Sequence, residues 1–306
     1  MVYTVDDLPG WLPPWCVEWL GAEPVGVLFE LRQMSAVFGL RLADGREVVV
    51  KARDDGGRTA SCVAAQRWLA ERGFPCARPL TPAVGTPAVH AEEHRPGGVV
   101  LHGDSPAVAV RCARVFAWLM RELAAVSVAP PLPNPRWVRW DHGGPGLWPA
   151  IAELDERDQG AVPAFVVDTA VRARERLRSA DLPCVLGHAD FEAQNLRWHD
   201  GDVWMVHDWD SLAWQPEAAL VGAAGTMFAN TTPPVLVPVA STAAFLAAYQ
   251  EARGRRFTAA ELEVAWAAGL WTAAHNARWE ALHGTPPLVG DALRVQAAER
   301  LWRANA

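Results

Sequence analysis

Strand-like and helix-like patterns occupy different parts of this chain, and that division limits its fold more than any other feature. In residues 1–95 most apolar segments are short and rich in β-branched residues, which predicts strands. Asp44-Gly45 joins two of them, and this dipeptide is typical of a tight hairpin because both turn positions need positive φ. One main helical pattern covers residues 58–73 and stops at a glycine. The strand-like segments are 25–32, 37–42, 47–52, 77–80 and 88–92, and a short helix is predicted at 14–20.

Residues 96–306 follow a helical pattern instead. Helices are predicted to begin near Pro106 and Pro163, because proline suits the first turn of a helix. The sequence therefore predicts an α+β chain, with an antiparallel sheet and one main helix in residues 1–95 and a larger, mostly helical part in residues 96–306. The other predicted elements are helices at 217–228, 242–253, 258–282 and 291–303, strands at 195–198 and 203–207, and a long irregular loop at 128–149.

Charge and composition exclude several classes of function. Of the 306 residues, 35 are Asp or Glu and 28 are Lys or Arg, and no basic stripe is present, so a nucleic-acid partner is not expected. No window of about 18 uncharged apolar residues occurs, and the first residues lack the pattern of a secretory signal. We therefore expect no membrane partner and a cytoplasmic location. Five cysteines without a C-x-x-C pair predict neither a disulfide framework nor a zinc site.

The stretch HADFEAQNLRWHDGDVWMVHDWD, residues 188–210, concentrates polar residues around two short strand-like runs. It contains the pattern H-x-D-x-x-x-x-N, formed by His188, Asp190 and Asn195, and Asp208 follows. A carboxylate on a loop can accept a proton from a hydroxyl nucleophile. An amide oxygen and a second carboxylate are the hard ligands that Mg²⁺ prefers. These groups are the minimum needed to move a phosphoryl group from a nucleoside triphosphate to an alcohol.

Several separate pieces of the sequence resemble the aminoglycoside phosphotransferases, which share the protein-kinase-like fold with choline and other small-molecule kinases. The pieces are VVVKAR, QRWLAERGFPCARPL, EEHRPGG, LGHADFEAQNLRW and VHDWDS, and the resemblance spans residues 25–225. It implies a bilobal fold. Residues 1–95 would form a nucleotide-binding lobe, and residues 96–306 a helical lobe with the catalytic loop, the metal motif and the acceptor site.

The resemblance also implies roles for the polar residues of the 188–210 stretch. Asp190 would be the base that orients or deprotonates the acceptor hydroxyl, while Asn195 and Asp208 would hold Mg²⁺. His188 is interpreted as a supporting residue that holds the loop. Asp210 is interpreted either as a second metal ligand or as a loop cap.

On the nucleotide side, the resemblance assigns Lys51 to the α- and β-phosphates of ATP or GTP. Ser35 lies in RQMSAVFGL, which matches the loop that covers the phosphates in this family but lacks the G-x-G-x-x-G of protein kinases. Glu93 and Arg95 in the hinge would contact adenine through the main chain.

Two positions depart from the pattern of the family. The helix after the third strand has Cys62 where the family usually has the Glu that pairs with the lysine. Lys51 must then find another partner or remain mobile. Beyond the metal motif, Ala219 stands where the family often has an Asp, with Glu217 nearby.

The first functional interpretation is a kinase that uses ATP or GTP with Mg²⁺ to phosphorylate a hydroxyl of a small molecule. A cationic acceptor, such as an aminoglycoside or a related antibiotic, is expected because carboxylates and indole rings both attract ammonium groups. Both residue types are frequent in the helical half, as Asp155, Glu156, Glu217, Glu280, Asp291, Trp140, Trp214, Trp271 and Trp279.

Three alternatives remain open at the level of sequence. The chain could bind a nucleotide with little transfer, since Cys62 replaces the helix Glu. It could be a metabolic amino-alcohol or sugar kinase of the same fold. It could also be a metallohydrolase, with a metal held by His188, Asp190, His207 and Asp208.

Overall fold

The chain divides into two compact units in the computed structural model. The first comprises Met1–Gly98, Val126–Pro133 and Trp204–Asp210. The second comprises Val99–Ala125, Asn134–Val203 and Ser211–Ala306. The single division that the sequence predicts at residue 95 stays a prediction. The residues that the structure describes are 4–32, 35–54, 57–128, 132 and 134–306.

A four-stranded antiparallel sheet dominates the first unit, and its strands follow one another in chain order. They are β1 (Pro24–Arg32), β2 (Ala36–Leu42), β3 (Glu47–Arg53) and β4 (Ala88–Glu93), with helices α1 (Leu12–Leu20) and α2 (Thr59–Glu71). At the turn between β2 and β3, Gly45 has a φ of 86°. Glycine adopts this conformation without strain, and the predicted hairpin is present. The expectation of positive φ at both turn positions was wrong, because Asp44 does not adopt it and the loop runs from Leu42 to Glu47, with the Gly45 N–H donating to the Leu42 carbonyl at 2.9 Å.

The two faces of this sheet have different chemistry because side chains alternate along a strand. On one face, Phe38 of β2 and Val50 of β3 are fully buried in a cluster with Leu12 of α1. The other face of β3 carries Lys51 and Arg53. Residues of β4 alternate in the same way, so the apolar core lies on one side of the sheet and a charged cluster on the other.

The sequence predicts a strand at residues 77–80, and the structure differs there. Only an isolated bridge forms there, between Pro79 and Glu92 of β4. The Leu80 N–H also donates to the carbonyl of Ala91 at 2.7 Å. Proline has no N–H to donate to a ladder, which explains why pairing does not extend along this segment.

The second unit is mostly helical, as the sequence predicts. Its largest helix begins at a capping box, in which the Thr258 hydroxyl accepts a hydrogen bond from the Glu261 N–H and the Glu261 carboxylate accepts one from the Thr258 N–H. The helices are α3 (Pro106–Leu123), α4 (Ala152–Asp155), α5 (Ala164–Arg178), α6 (Glu217–Met227), α7 (Val239–Arg253), α8 (Ala259–His283) and α9 (Leu288–Ala304). In the described part of the chain, none of the helices is long and apolar enough to cross a membrane.

The chain also forms two pairs of short strands. β5 (Cys184–His188) pairs antiparallel with β8 (Leu212–Pro216), and β6 (Leu196–His199) forms a two-stranded sheet with β7 (Asp202–Val206). The sequence predicts β6 and β7 but not β5 and β8. The latter two are only five residues long and pair across a long stretch of chain, so neither a turn signal nor a long alternation marks them.

Helices α6 and α8 approach each other so closely that glycine is required on both. A Cβ on Gly222 of α6 would lie 1.9 Å from the carbonyl oxygen of Ala265. A Cβ on Gly269 of α8 would lie 2.1 Å from the Thr226 hydroxyl. Real Cβ atoms do not approach other atoms so closely, and the two glycines therefore set the separation of these helices.

We expect Gly222→Ala to lower the free energy of unfolding by about 3 kcal/mol, because the added methyl group meets backbone that cannot turn away. Chemical denaturation measures the change. Gly290→Ala in α9 is the matched control, since its Cβ would have no neighbour closer than 3.5 Å. That variant should be neutral or slightly stabilising, because alanine favours a helix over glycine. Equal losses in the two variants would show that close packing at Gly222 is not the cause.

Candidate active site

The predicted site residues lie in both units. Those expected to bind the nucleotide, and the two aspartates of the metal motif, belong to the first unit, and the catalytic-loop residues belong to the second. The first unit holds Ser35, Lys51, Glu93, Arg95, Asp208 and Asp210, and the second holds His188, Asp190 and Asn195.

Lys51 has a carboxylate partner that the sequence analysis did not find. Its Nζ lies 2.8 Å from Oε1 of Glu92, on the neighbouring strand β4. The other oxygen of Glu92 accepts a hydrogen bond from the side chain of Gln66 on α2, also at 2.8 Å. Both charged side chains are nearly inaccessible, with 13% of the lysine and 5% of the glutamate exposed. Lys51 is therefore held in place although Cys62, a buried residue of α2, offers no carboxylate.

The charges in this cluster stabilise one another. Burial opposes the charged form of Lys51, but the carboxylates of Glu92 and Asp210 outweigh it and raise the pKa of the lysine. Burial also opposes ionisation of Glu92, and Lys51 outweighs it and lowers the pKa of that carboxyl. His90 lies opposite Lys51 in the strand register, and burial together with Lys51 lowers its pKa. At neutral pH the cluster thus contains an ammonium, a carboxylate and a neutral imidazole.

The two aspartates of the predicted metal motif, Asp208 and Asp210, have different surroundings. Asp208 has a φ of 60°, which Asp tolerates better than most residues because of its short polar side chain. Asp210 is buried and forms an ion pair with Arg53 of β3, and its carbonyl accepts a hydrogen bond from Arg58. Burial opposes ionisation of Asp210, but Lys51 and Arg53 outweigh it and lower the pKa of its carboxyl. Asp210 thus anchors the segment that carries Asp208 to the sheet.

The hinge residues use their side chains for structural contacts. Glu93 pairs with Arg78, and its N–H donates to the Arg78 carbonyl at 3.0 Å. Arg95 donates to the Cys76 carbonyl at 3.1 Å and lies over the ring of Trp204. Within the described residues, the main-chain N–H of Arg95 has no hydrogen-bond partner.

The loop predicted to cover the phosphates is described only in part. Ser35 is half-buried and directly precedes β2. The two residues before it, 33 and 34, lie outside the described residues. The role of Ser35 therefore stays a prediction.

The loop predicted to be catalytic, in the second unit, is held by its own polar groups. The Asn195 amide nitrogen donates to both the carbonyl and the carboxylate of Asp190, each at 2.9 Å. The Asp190 N–H donates to Nδ1 of His188 at 3.2 Å. Because Nδ1 accepts, the ring proton of a neutral His188 lies on Nε2. These contacts agree with the interpretation of His188 as a residue that holds the loop, and they bring Asp190 and Asn195 together.

Glu192 is a further loop residue that the sequence analysis did not identify. It is 7% exposed, and its Oε2 accepts hydrogen bonds from the amides of Asn230 and Gln194, both at 2.7 Å. The Gln194 N–H in turn donates to the Asn230 carbonyl. Asn230 lies 38 residues from Glu192, so no local pattern could have predicted the pair.

A cavity of about 50 Å³ lies beside Asp190 within the second unit. Such a volume fits one small group rather than a whole ligand. His275 lines it, and burial together with Arg278 lowers the pKa of this histidine to about 4, so its ring is neutral at pH 7. The other lining residues are apolar or neutral, apart from Asp190 and Glu192; they are Trp137, Val138, Ala189, Phe191, Ala223, Ala224, Met227, Thr272 and Asn276.

The carboxylates that the sequence analysis linked to a cationic acceptor lie elsewhere. Asp155 pairs with Arg278, and Glu217 accepts from the hydroxyl of Tyr249. Glu280 accepts from two N–H groups in the first turn of α9. Among the described residues, none of the five carboxylates or four tryptophans named for this purpose lines the cavity at Asp190. The link between these groups and a cationic acceptor therefore stays a prediction, since several of them serve ion pairs, hydrogen bonds or helix ends.

The metallohydrolase alternative requires a cluster of histidines and carboxylates. Across the residues that the structure describes, no group of three or more His, Cys, Asp or Glu side chains could hold a metal ion. His188 is instead engaged by the Asp190 main chain. The geometry does not support this alternative.

Known structures resemble this fold over nearly its whole length. An amicoumacin kinase, solved with AMP-PNP and Ca²⁺, aligns with a TM-score of 0.61 at 14% identity, covering 90% of this chain and 87% of that one. An aminoglycoside phosphotransferase from Alicyclobacillus acidocaldarius aligns with a TM-score of 0.54 at 14% identity, covering 98% and 95%. Plasmodium vivax ethanolamine kinase aligns with a TM-score of 0.54 at 12% identity, covering 91% and 82%.

No family model matches the sequence, and neither does any curated protein. At the identities of the structural matches, the likeness concerns the fold. The chain has the α+β, kinase-like fold of the aminoglycoside phosphotransferases, and the fold predicted from the sequence is confirmed.

We expect Arg53→Met to lower the free energy of unfolding by about 3 kcal/mol, because it leaves the buried carboxylate of Asp210 without its cation. Chemical denaturation at pH 7 measures the loss. Arg41→Met is the matched control in the same sheet, since Arg41 forms an exposed pair with Glu47. Its loss should be about 1 kcal/mol or less. An equal loss of unfolding free energy in both variants would show that burial of the Arg53–Asp210 pair does not set its contribution to stability.

Proposed function

We infer that this chain is a kinase that transfers the γ-phosphoryl group of ATP or GTP to a hydroxyl of a small molecule. The observation that carries the proposal is the pair of hydrogen bonds from Asn195 to Asp190, which fixes a loop carboxylate at the edge of a cavity. The structural matches include proteins named as kinases and phosphotransferases, which supports a phosphotransferase reaction.

In this proposal Asp190 is the base. Its carboxylate lines the cavity, where a hydroxyl could lie within hydrogen-bond distance. Asn195 holds this carboxylate on one side, and the contact of the Asp190 main chain with His188 fixes the backbone. Asp190 would orient the hydroxyl and take its proton as the oxygen attacks phosphorus.

The donor set of Asn195 and Asp208 fits Mg²⁺. Because the Asn195 nitrogen donates to Asp190, its oxygen is the amide atom left for a metal. Asp208 supplies a second hard oxygen donor from a segment that Asp210 anchors. When bound, Mg²⁺ would neutralise charge on the β- and γ-phosphates.

The first unit supplies the groups for the nucleotide. Lys51 stays protonated at neutral pH, since its pKa is raised, and would contact the α- and β-phosphates. In the hinge, the N–H groups of Glu93 and His94 donate to the carbonyls of Arg78 and Glu47. The main-chain N–H of Arg95 is therefore the donor that we assign to the base, and Ser35 is assigned to the phosphate loop.

The acceptor is proposed to be an amine-bearing small molecule with at least one hydroxyl. Support comes from the names of the structural matches, which include an aminoglycoside phosphotransferase and an ethanolamine kinase. An amino-alcohol kinase thus remains a second candidate within the same class. A protein that binds a nucleotide with little transfer was an alternative because Cys62 replaces the helix Glu. Since Glu92 gives Lys51 a carboxylate partner, Cys62 is no longer a reason to favour that alternative. A cytoplasmic location is part of the proposal.

A screen for release of nucleoside diphosphate tests the proposal. The purified protein would be incubated with ATP or GTP, Mg²⁺ and panels of aminoglycosides, basic peptide antibiotics, macrolides and amino alcohols, and with neutral and anionic hydroxyl compounds for comparison. Mass spectrometry of the acceptor should show the added phosphate. Turnover on neutral or anionic hydroxyl compounds alone would contradict the amine-bearing class, and no turnover on any panel would contradict the kinase.

We predict that Asp190→Asn lowers kcat about a hundred- to ten-thousand-fold while affinity for the nucleotide stays nearly unchanged, because the base acts on the acceptor. Steady-state kinetics and nucleotide titration measure the two effects. Asp181→Asn, at an exposed position before β5, serves as the control and should keep wild-type kcat. More than half of wild-type kcat in Asp190→Asn would exclude the assigned role.

Asp208→Ala and Asn195→Ala should raise the concentration of Mg²⁺ needed for half-maximal activity, because each removes an oxygen ligand. The larger shift is expected for Asp208→Ala, since it also deletes a charge. Activity titrated against Mg²⁺ measures both, with Asp202→Ala at the exposed start of β7 as control. An unchanged metal dependence in both variants would place the ion elsewhere.

A further inference from the structure

We propose that Glu92 positions Lys51 for the nucleotide from within the sheet, so that the lysine does not depend on helix α2 for its partner. The inference rests on the proposed role of Lys51 in nucleotide binding. Glu92 contacts the lysine, and we assign it no contact with the nucleotide or the acceptor, which makes it a positioning residue.

The strand register explains why Glu92 reaches the lysine. In the antiparallel pair of β3 and β4, Lys51 lies opposite His90, and Glu92 is two residues further along β4 on the same face. A diagonal neighbour of this kind is within reach of long side chains. Nζ of Lys51 and Oε1 of Glu92 therefore lie 2.8 Å apart, and the pairing of the two strands fixes both backbones.

Helix α2 contacts the carboxylate of Glu92 through Gln66. Gln66 donates from its amide to the second oxygen of Glu92 and to the carbonyl of Ala77, both at 2.8 Å. Cys62, in the same helix, is buried and uncharged. The helix therefore supports the carboxylate, while the charge that holds the lysine belongs to β4.

Other acids compete for the lysine. Besides Glu92, the carboxylates of Asp208 and Asp210 act on Lys51 electrostatically. Asp208 is the acid that we assign to the metal, and Asp210 already pairs with Arg53. Glu92 holds the ammonium on its own strand pair, and without it the lysine would turn to these acids rather than to phosphate.

The experiment measures the dissociation constant of a fluorescent ATP analogue in Mg²⁺ buffer. Glu92→Gln should raise this constant about tenfold or more, because a charge-assisted contact that orients Lys51 is lost. Gln66→Leu should raise it about threefold or less, because the carboxylate stays on its strand. Glu71→Gln, at the exposed end of α2, is the matched control and should change nothing.

A double-mutant cycle distinguishes positioning from general damage to the fold. If Glu92 acts through Lys51, then Lys51→Ala/Glu92→Gln should bind the analogue as weakly as Lys51→Ala and no more weakly. A further tenfold loss in the double variant would show that Glu92 acts by another route. Thermal denaturation checks folding, and if Glu92→Gln does not fold, Glu92→Asp takes its place because it keeps the charge but withdraws it from Nζ.

The outcomes separate this inference from the proposed function. A wild-type protein that does not bind the analogue would overturn both. Binding that is weakened by Lys51→Ala but unchanged by the Glu92 variants would overturn the inference alone. A larger effect of Gln66→Leu than of Glu92→Gln would also overturn it, since the helix would then hold the lysine.

Discussion

The first unit depends on the pairing of charges that its sheet buries on one face. Lys51 and Arg53 lie on β3 at alternate positions, so both point away from the apolar core that the other face forms with α1. Burying either cation alone would cost several kcal/mol. Glu92 and Asp210 offset that cost, and the two pairs fix β4 and the metal-motif segment on this face. The same contacts that stabilise the unit thus set the positions of the groups proposed to act on the nucleotide.

In the second unit, hydrogen bonds from side-chain amides to carboxylates hold the loop that carries Asp190. Asn195 holds the Asp190 carboxylate, and Glu192 holds the end of the loop through Asn230 and Gln194. The loop itself follows β5, which is part of a buried two-stranded sheet. A loop with so many internal partners is pre-organised, and this suits a base that must meet a hydroxyl in a narrow range of geometry.

Local patterns in the sequence predicted much of this architecture. The hairpin at Asp44-Gly45 and the long helix that begins at the Thr258 capping box each arise from residues close together in the chain. The partner of Lys51 could not be predicted, because it follows from which residues of β3 and β4 stand diagonally, and strand register is not visible in composition. β5 and β8 were missed for a similar reason, since each finds its partner across many residues.

The five carboxylates first linked to the acceptor show why a count of acids says little about a ligand. An acid at neutral pH can pair with an arginine, accept hydrogen bonds at a helix N-terminus or face water. In this chain Asp155 pairs with Arg278, Glu280 accepts hydrogen bonds at the start of α9, and Glu156 is exposed. What a ligand meets is set by the lining of its cavity. Beside Asp190 that lining combines apolar side chains with polar ones, among them the carboxylates of Asp190 and Glu192 and the neutral ring of His275. Because the cavity has a volume of only about 50 Å³, it fits one small group such as a hydroxyl, and the rest of a proposed acceptor, its amines included, would have to lie outside it.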